Sequence, residues 1–179
     1  LGLLLDDWFN EHFYNYVVVA IALIVYGVAF IVIERNRRGR PEKIRDVYEI
    51  DYRTALLIGA FQVLALIPGT SRSGSTIIGA MLLGVSRTSA AEFSFFLAIP
   101  TMLGASLLKI GKYAVDGNGA LTGQEWSIML VGCAVAFIVS LIAIKGLVSY
   151  VRRHTFSAFG VYRIALGAVV LGVFLTQII

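Results

Sequence analysis

Carboxylates are missing from the middle of this chain. Between Asp51 and Asp116 the only acid is Glu92, although hydroxyls and guanidinium groups are plentiful there. Charge of either sign is thin, at 15% of 179 residues, against roughly a quarter in a soluble domain. One cysteine, Cys133, excludes an intrachain disulfide and a cysteine-based zinc site, and its apolar surroundings read as packing. The two histidines, His12 in an acidic stretch and His154 beside Arg153, read as interfacial residues. A general base therefore has no visible source.

Hydrocarbon is what the chain has in quantity. Hydrophobic residues make up 58% of it, and mean hydropathy is +0.83. Several apolar runs approach or exceed the ~18–20 residues that cross a bilayer. The fold class expected is all-α, a polytopic integral membrane protein forming one membrane domain over 1–179. The net charge of +4 comes from basic residues set beside apolar spans. That is the pattern of membrane topology, and it argues against a nucleic-acid partner. The chain opens inside the apolar run Leu1-Gly2-Leu3-Leu4-Leu5 without an initiator Met, so a fragment of a longer protein is expected.

Taken in order, Asp6, Asp7, Glu11 and His12 read as a solvated loop, with Trp8, Phe13, Tyr14 and Tyr16 suited to an interfacial aromatic belt. Residues 16–33 form the first span. The charged stretch 34–50, with Arg35, Arg37, Arg38, Arg40, Lys43 and Arg45 against Glu34, Glu42, Asp46 and Glu49, reads as a solvated loop on the anionic leaflet. Asp51 can cap a helix that ends at Pro68-Gly69. A second arm, from Gly74 to Val85, covers roughly 18 Å and is too short to cross ~30 Å of hydrocarbon. Spans at 89–113, 126–150 and 156–179 follow, with Glu92 expected in or near the first turn of its helix and an acidic loop at 114–125.

Residues 51–85 could make one broken span or a re-entrant hairpin. With a hairpin, the 34–53 loop, Arg87 and Arg152-Arg153 share one side, and the acidic stretches share the other. The positive-inside rule favours the hairpin, with the basic side cytoplasmic.

The hairpin's turn, Pro68-Gly69-Thr70-Ser71-Arg72-Ser73-Gly74-Ser75-Thr76, carries the functional signal. A cation near membrane depth costs ~3 kcal/mol or more and marks a functional site by default. A helix opening near Gly74 offers unpaired N–H groups and the positive end of its dipole. Gly69 and Gly74 permit close approach, Arg72 supplies a bidentate fork, and Thr70, Ser71, Ser73, Ser75 and Thr76 supply hydroxyls. Together they suit phosphate or diphosphate. The competing reading is a tight helix–helix turn whose hydroxyls bond back to carbonyls while Arg72 snorkels to water. The turn is not a Walker A loop, since no Gly-Lys-Ser/Thr follows at the required spacing.

This stretch resembles the signature of the bacterial undecaprenyl-diphosphate phosphatase family. Its neighbours agree: Tyr52-Arg53-Thr54-Ala55, Phe61-Gln62, Gly84-Val85-Ser86-Arg87, Ala91-Glu92-Phe93-Ser94-Phe95, Ala98-Ile99-Pro100, Ala143-Ile144-Lys145 and Tyr162-Arg163. The resemblance implies a multi-pass hydrolase of the bacterial inner membrane that removes one phosphate from a C55 polyprenyl diphosphate, so that the carrier is reused in cell-wall synthesis. It also implies inverted repeats with re-entrant hairpins meeting inside the membrane, this chain holding one half. Arg72 and Ser71 would be the catalytic residues, and Gly69, Thr70, Ser73, Gly74 and Thr76 would contact the diphosphate.

The family's other motif, a Glu-x-x-x-Glu segment followed by Pro, a Ser/Thr-rich turn and His, does not occur in these residues. A divalent cation, Mg or Ca, is implied, with its ligands mostly in that N-terminal repeat, so no metal ligand is assigned here. The chain then corresponds to roughly the C-terminal two thirds of the enzyme, and alone it is not expected to turn over. A homodimer is an open expectation. The alternatives are a transporter or flippase of an anionic lipid using the same turn, and a structural subunit in which the turn only packs helices.

Overall fold

The computed structural model describes residues 15–37, 39, 41–115 and 122–178, with the backbone alone at Ala114, Arg152, Leu175, Gln177 and Ile178. The expectations for residues 1–14, for Arg38 and Arg40, and for the centre of the acidic loop at 116–121 lie outside the described residues. Six α-helices and no strand occur among the described residues: α1 (Tyr16–Arg37), α2 (Tyr52–Gln62), α3 (Arg72–Leu82), α4 (Arg87–Val115), α5 (Gly123–Arg153) and α6 (Ser157–Ile178). Of these, α1, α4, α5 and α6 are long and apolar enough to cross a membrane.

Residues 51–85 fold back on themselves. Asp51 caps α2 by accepting from Thr54 N–H at 2.9 Å, and α2 tightens into a 3-10 turn at Val63–Leu66 before Pro68 and Gly69 reverse the chain. Gly69 takes φ +88°, where a side chain is strained. Returning, α3 lies against α2 so closely that a Cβ on Gly79 would stand 2.5 Å from Phe61 Cγ. A Schellman motif ends α3: Gly84, at φ +102°, donates to Met81 O and Val85 donates to Ala80 O, at 3.1 and 3.0 Å. The two ends of the hairpin are then tied together. Lys43 N–H donates to Gly84 O at 3.0 Å, Ser86 N–H donates to Ile44 O at 2.8 Å, and Ser89 Oγ donates to Arg45 O at 2.7 Å. The chain enters and leaves the hairpin at one end, as charge parity expects.

Helix α6 packs along α1, while α4 and α5 meet α1 at its basic end. Gly160 of α6 opposes Gly27 of α1, and Gly167 opposes Ala20 and Ile24, so the two run antiparallel with backbones in close approach. Arg87, opening α4, pairs with Glu34 near the end of α1 at 3.1 Å and donates to His154 O after α5 at 3.3 Å. The core sits here, among Phe30, Ile58, Met81, Val85, Val151 and Phe156, and residues 74–81 of α3 are all buried. In contrast, nearly all of α5 is exposed to whatever surrounds the chain.

Three local expectations are corrected. The charged stretch at 34–50 is not wholly solvated: Glu34 is 5% exposed, held by Arg87 and by Phe156 N–H at 3.3 Å. A buried carboxylate needs such partners, and they come from elements far away in sequence. Helix α4 starts at Arg87, two residues before the expected 89, because Ser86 Oγ accepts from Ser89 N–H at 3.2 Å, and Glu92 falls in its second turn. The acidic loop is shorter than expected, because α4 reaches Val115 and Thr122 with Glu125 builds a capping box that opens α5 at Gly123.

Candidate functional site

The hairpin tip lies at the end of α1 opposite its basic end. A Cβ on Gly69 would stand 2.5 Å from Val19 O in the first turn of α1, while Arg37, in its last turn, donates to Met81 O near the hairpin base. Val19 and Arg37 are 18 residues apart on α1, about 27 Å of helix at ~1.5 Å per residue. Helix α3, 11 residues from Arg72 to Leu82, covers only about 16 Å at ~1.5 Å per residue, so the tip stands short of a membrane's thickness from the hairpin base.

Helix α3 opens at Arg72, two residues before the Gly74 that sequence suggested, because Ser71 is the N-cap and its Oγ accepts from Gly74 N–H at 3.1 Å. Arg72 is therefore the first helical residue. By helix geometry the N–H groups of Arg72 and Ser73 have no partner within α3, so the dipole's positive end and a guanidinium coincide.

The hydroxyls divide into two groups. Thr70 Oγ1 donates to Ile67 O at 2.7 Å, with Leu64 O at 2.9 Å, and so holds the turn. Ser75 Oγ is shared between Ser71 O at 3.1 Å and Tyr26 Oη at 3.0 Å. Thr76 Oγ1 lies 3.0 Å from Ser73 O and 2.8 Å from Ser94 Oγ, fully buried. These three serve packing. The half-buried pair Ser71 and Ser73 differs: their oxygens lie 3.1 Å apart and share one proton, which leaves the other hydroxyl proton for a third party. Gly74 is buried within the turn, where a Cβ would meet Ser71 and Phe30 at 3.0 and 3.3 Å. Gly69 likewise answers to α1 and to its φ.

Three buried side-chain atoms have no hydrogen-bond partner among the described residues: Gln62 Oε1, Arg72 Nη1 and Arg163 Nε. Gln62 ends α2, Arg72 opens α3, and Arg163 of α6 donates through Nη2 to Gly69 O at 2.7 Å, its guanidinium carbon 5.8 Å from the centre of the Tyr26 ring. Gln62 Oε1 is an acceptor and calls for a donor, and its amide nitrogen faces Thr101 Oγ1 of α4 at 3.4 Å. The two guanidinium nitrogens are donors on residues that open α3 and hold the Gly69 carbonyl; an unsatisfied buried donor costs ~1–3 kcal/mol, and more if charged, so these two suit an anionic occupant.

Tyr162-Arg163 enters the sequence signal only through the resemblance, which assigns Arg163 no role, though a guanidinium inside an apolar span is a signal in itself. Tyr26 and Ser94 carried no such signal, since their use depends on which helix faces them. Among the described residues no three His, Cys, Asp or Glu side chains gather, so no donor set for a divalent cation is formed here.

A family profile described as bacitracin resistance protein BacA matches residues 1–169. The chain is 54% identical over 171 residues to the undecaprenyl-diphosphatase of Lacticaseibacillus paracasei, covering 96% of this chain and 62% of that protein. The enzyme of the same name from Enterococcus faecalis is 52% identical over 175 residues, covering 98% and 63%, and that of Streptococcus thermophilus is 56% identical over 171 residues, covering 95% and 59%. The chain thus spans about three fifths of the length of these curated relatives.

Proposed function

Because the chain belongs to the bacitracin resistance protein BacA family, a family of multi-pass membrane proteins, we propose that it supplies the diphosphate-holding half of an undecaprenyl-diphosphatase. The full-length protein hydrolyses undecaprenyl diphosphate to undecaprenyl phosphate and phosphate, recycling the carrier for peptidoglycan synthesis. The observation that carries this reading is the idle, buried Nη1 of Arg72 at the first position of a helix capped by Ser71.

In the reaction water adds to the terminal phosphorus, the bridging P–O bond breaks, and its electron pair stays with the lipid monophosphate. Arg72 and the open N–H groups of α3 hold the non-bridging oxygens as their charge changes. The spare proton of the Ser71–Ser73 pair donates to one of those oxygens. Gly69, Thr70, Gly74 and Thr76 shape the turn that presents these donors. An apolar groove of about 560 Å³, lined by Phe95, Phe96, Ile99, Met102, Ile144 and Val148, offers the prenyl chain a path along α4 and α5. The chain is one half of an inverted-repeat arrangement, and a divalent cation would take its ligands from the rest of the full-length protein. With the basic ends of α1, α4 and α5 cytoplasmic, the tip faces the outer side of the bacterial inner membrane.

The test is phosphate release from a polyprenyl diphosphate by the full-length protein in detergent. Arg72→Ala should lower kcat/KM by about 100-fold or more, the scale of losing a principal oxyanion donor. Lipid movement between leaflets without phosphate release would replace the hydrolase with a transporter.

A further inference from the structure

We propose that Arg163 is the second cation of the tip site, a positioning residue that braces the turn from α6 and raises its affinity for a multiply charged phosphate. It reaches the turn by two routes. Directly, its Nη2 donates to Gly69 O at 2.7 Å, three residues before Arg72. Indirectly, it lies over the Tyr26 ring, and the Tyr26 hydroxyl accepts from Ser75 Oγ, which also bonds Ser71 O, the carbonyl of the helix cap. Both ends of the segment that carries Ser71 and Arg72 are therefore tied to one guanidinium.

Bracing alone does not require a charge. A neutral amide could donate to the Gly69 carbonyl without the cost of a cation inside an apolar span. Arg163 instead brings a full positive charge and a buried Nε that no group among the described residues uses. Its partners are a carbonyl and an aromatic face, neither of which carries a countercharge. Three residues of chain reach at most ~10 Å, so Arg72 is close by and is likewise left with a buried idle nitrogen. Two under-used guanidinium groups beside one turn suit an anion of more than one charge better than a monoanion. This inference rests on the proposed hydrolase only for the name of that anion.

The experiment compares Arg163→Lys and Arg163→Gln in the full-length protein, with inorganic pyrophosphate as the binding probe and phosphate release from a polyprenyl diphosphate as the kinetic one. Gln keeps a donor and loses the charge; it should bind pyrophosphate about 10- to 100-fold more weakly, the scale of one charged hydrogen bond. Lys keeps the charge and should retain most of the affinity. The slope of affinity against salt should fall in the Gln variant and persist in the Lys variant, a readout that a purely structural role would not move. Equal binding by Gln and the unmodified protein overturns the proposal, as does an equal loss in Lys and Gln. Pyrophosphate binding without phosphate release refutes the hydrolase and leaves the Arg163 comparison intact. Failure of the unmodified protein to bind pyrophosphate overturns both.

Discussion

Removing Arg87 should damage this protein more than removing the charge it pairs with. Glu34 is 5% exposed and uses both oxygens, Oε1 with Arg87 at 3.1 Å and Oε2 with Phe156 N–H at 3.3 Å. Arg87 is 36% exposed in its side chain, so water can replace a lost partner on its side but not on the glutamate's. Breaking a fully buried pair from one side costs ~3–5 kcal/mol. The exposure of Arg87 discounts that, and ~2–3 kcal/mol is the expectation for Arg87→Met. Glu34→Gln keeps an acceptor for Phe156 N–H and leaves a hydrated guanidinium, so ~1 kcal/mol is expected. The double variant should be more stable than Arg87→Met alone, because the stranded carboxylate is gone. The assay is SDS or heat unfolding of the full-length protein in detergent, followed by circular dichroism. A Glu34→Gln variant that is less stable than Arg87→Met would refute the burial argument.

Gly69→Ala should destabilise by ~1–3 kcal/mol and depress phosphate release, since φ is +88° and the new Cβ would meet Val19 O at 2.5 Å. Gly59→Ala, within α2 and with nothing inside 4 Å of its Cβ, should stabilise by ~0.5–1 kcal/mol in the same unfolding assay. Ser71→Asp keeps the cap of α3 and places a carboxylate where an anion should bind; an unchanged melting temperature with lost phosphate release is expected, and retained release would sink the anion site. Hydrogen bonds from the Thr54 hydroxyl and N–H hold the Asp51 carboxyl below its ordinary range. A lowered folded value means that the cap is fully present above about pH 4 and is lost as pH falls through the folded value, so circular dichroism below about pH 4 should decline more steeply in the unmodified protein than in Asp51→Asn.

The helices and the folding-back of 51–85 were legible because lipid imposes length and charge rules that act locally. Each span is an apolar run of sufficient length, and the basic clusters at 35–45, at Arg87 and at Arg153 could share a side only if 51–85 turned back. The turn was legible because Pro68, Gly69 and Ser71 state their own geometry. The burial of Glu34 was not, because its partners stand 53 and 122 residues away. Arg163 signalled its own importance, but its target depends on α1 and α6 packing antiparallel through Gly27, Gly160 and Gly167, which no local pattern encodes.

Packing accounts for some residues of the turn and leaves others over. Back-bonding accounts for Thr70, Ser75 and Thr76, whose protons are taken by carbonyls or by a neighbouring hydroxyl. Those bonds fix the turn, and a fixed turn is what a preorganised site needs. Back-bonding leaves Ser71 and Ser73 with one proton too many, and it does nothing for Arg72 Nη1 or Arg163 Nε. A hairpin selected only to pack could discard both guanidinium groups and gain stability, since each idle buried nitrogen costs ~1–3 kcal/mol or more. Both stand beside the open N-terminus of α3, where the proposed anion site would use them.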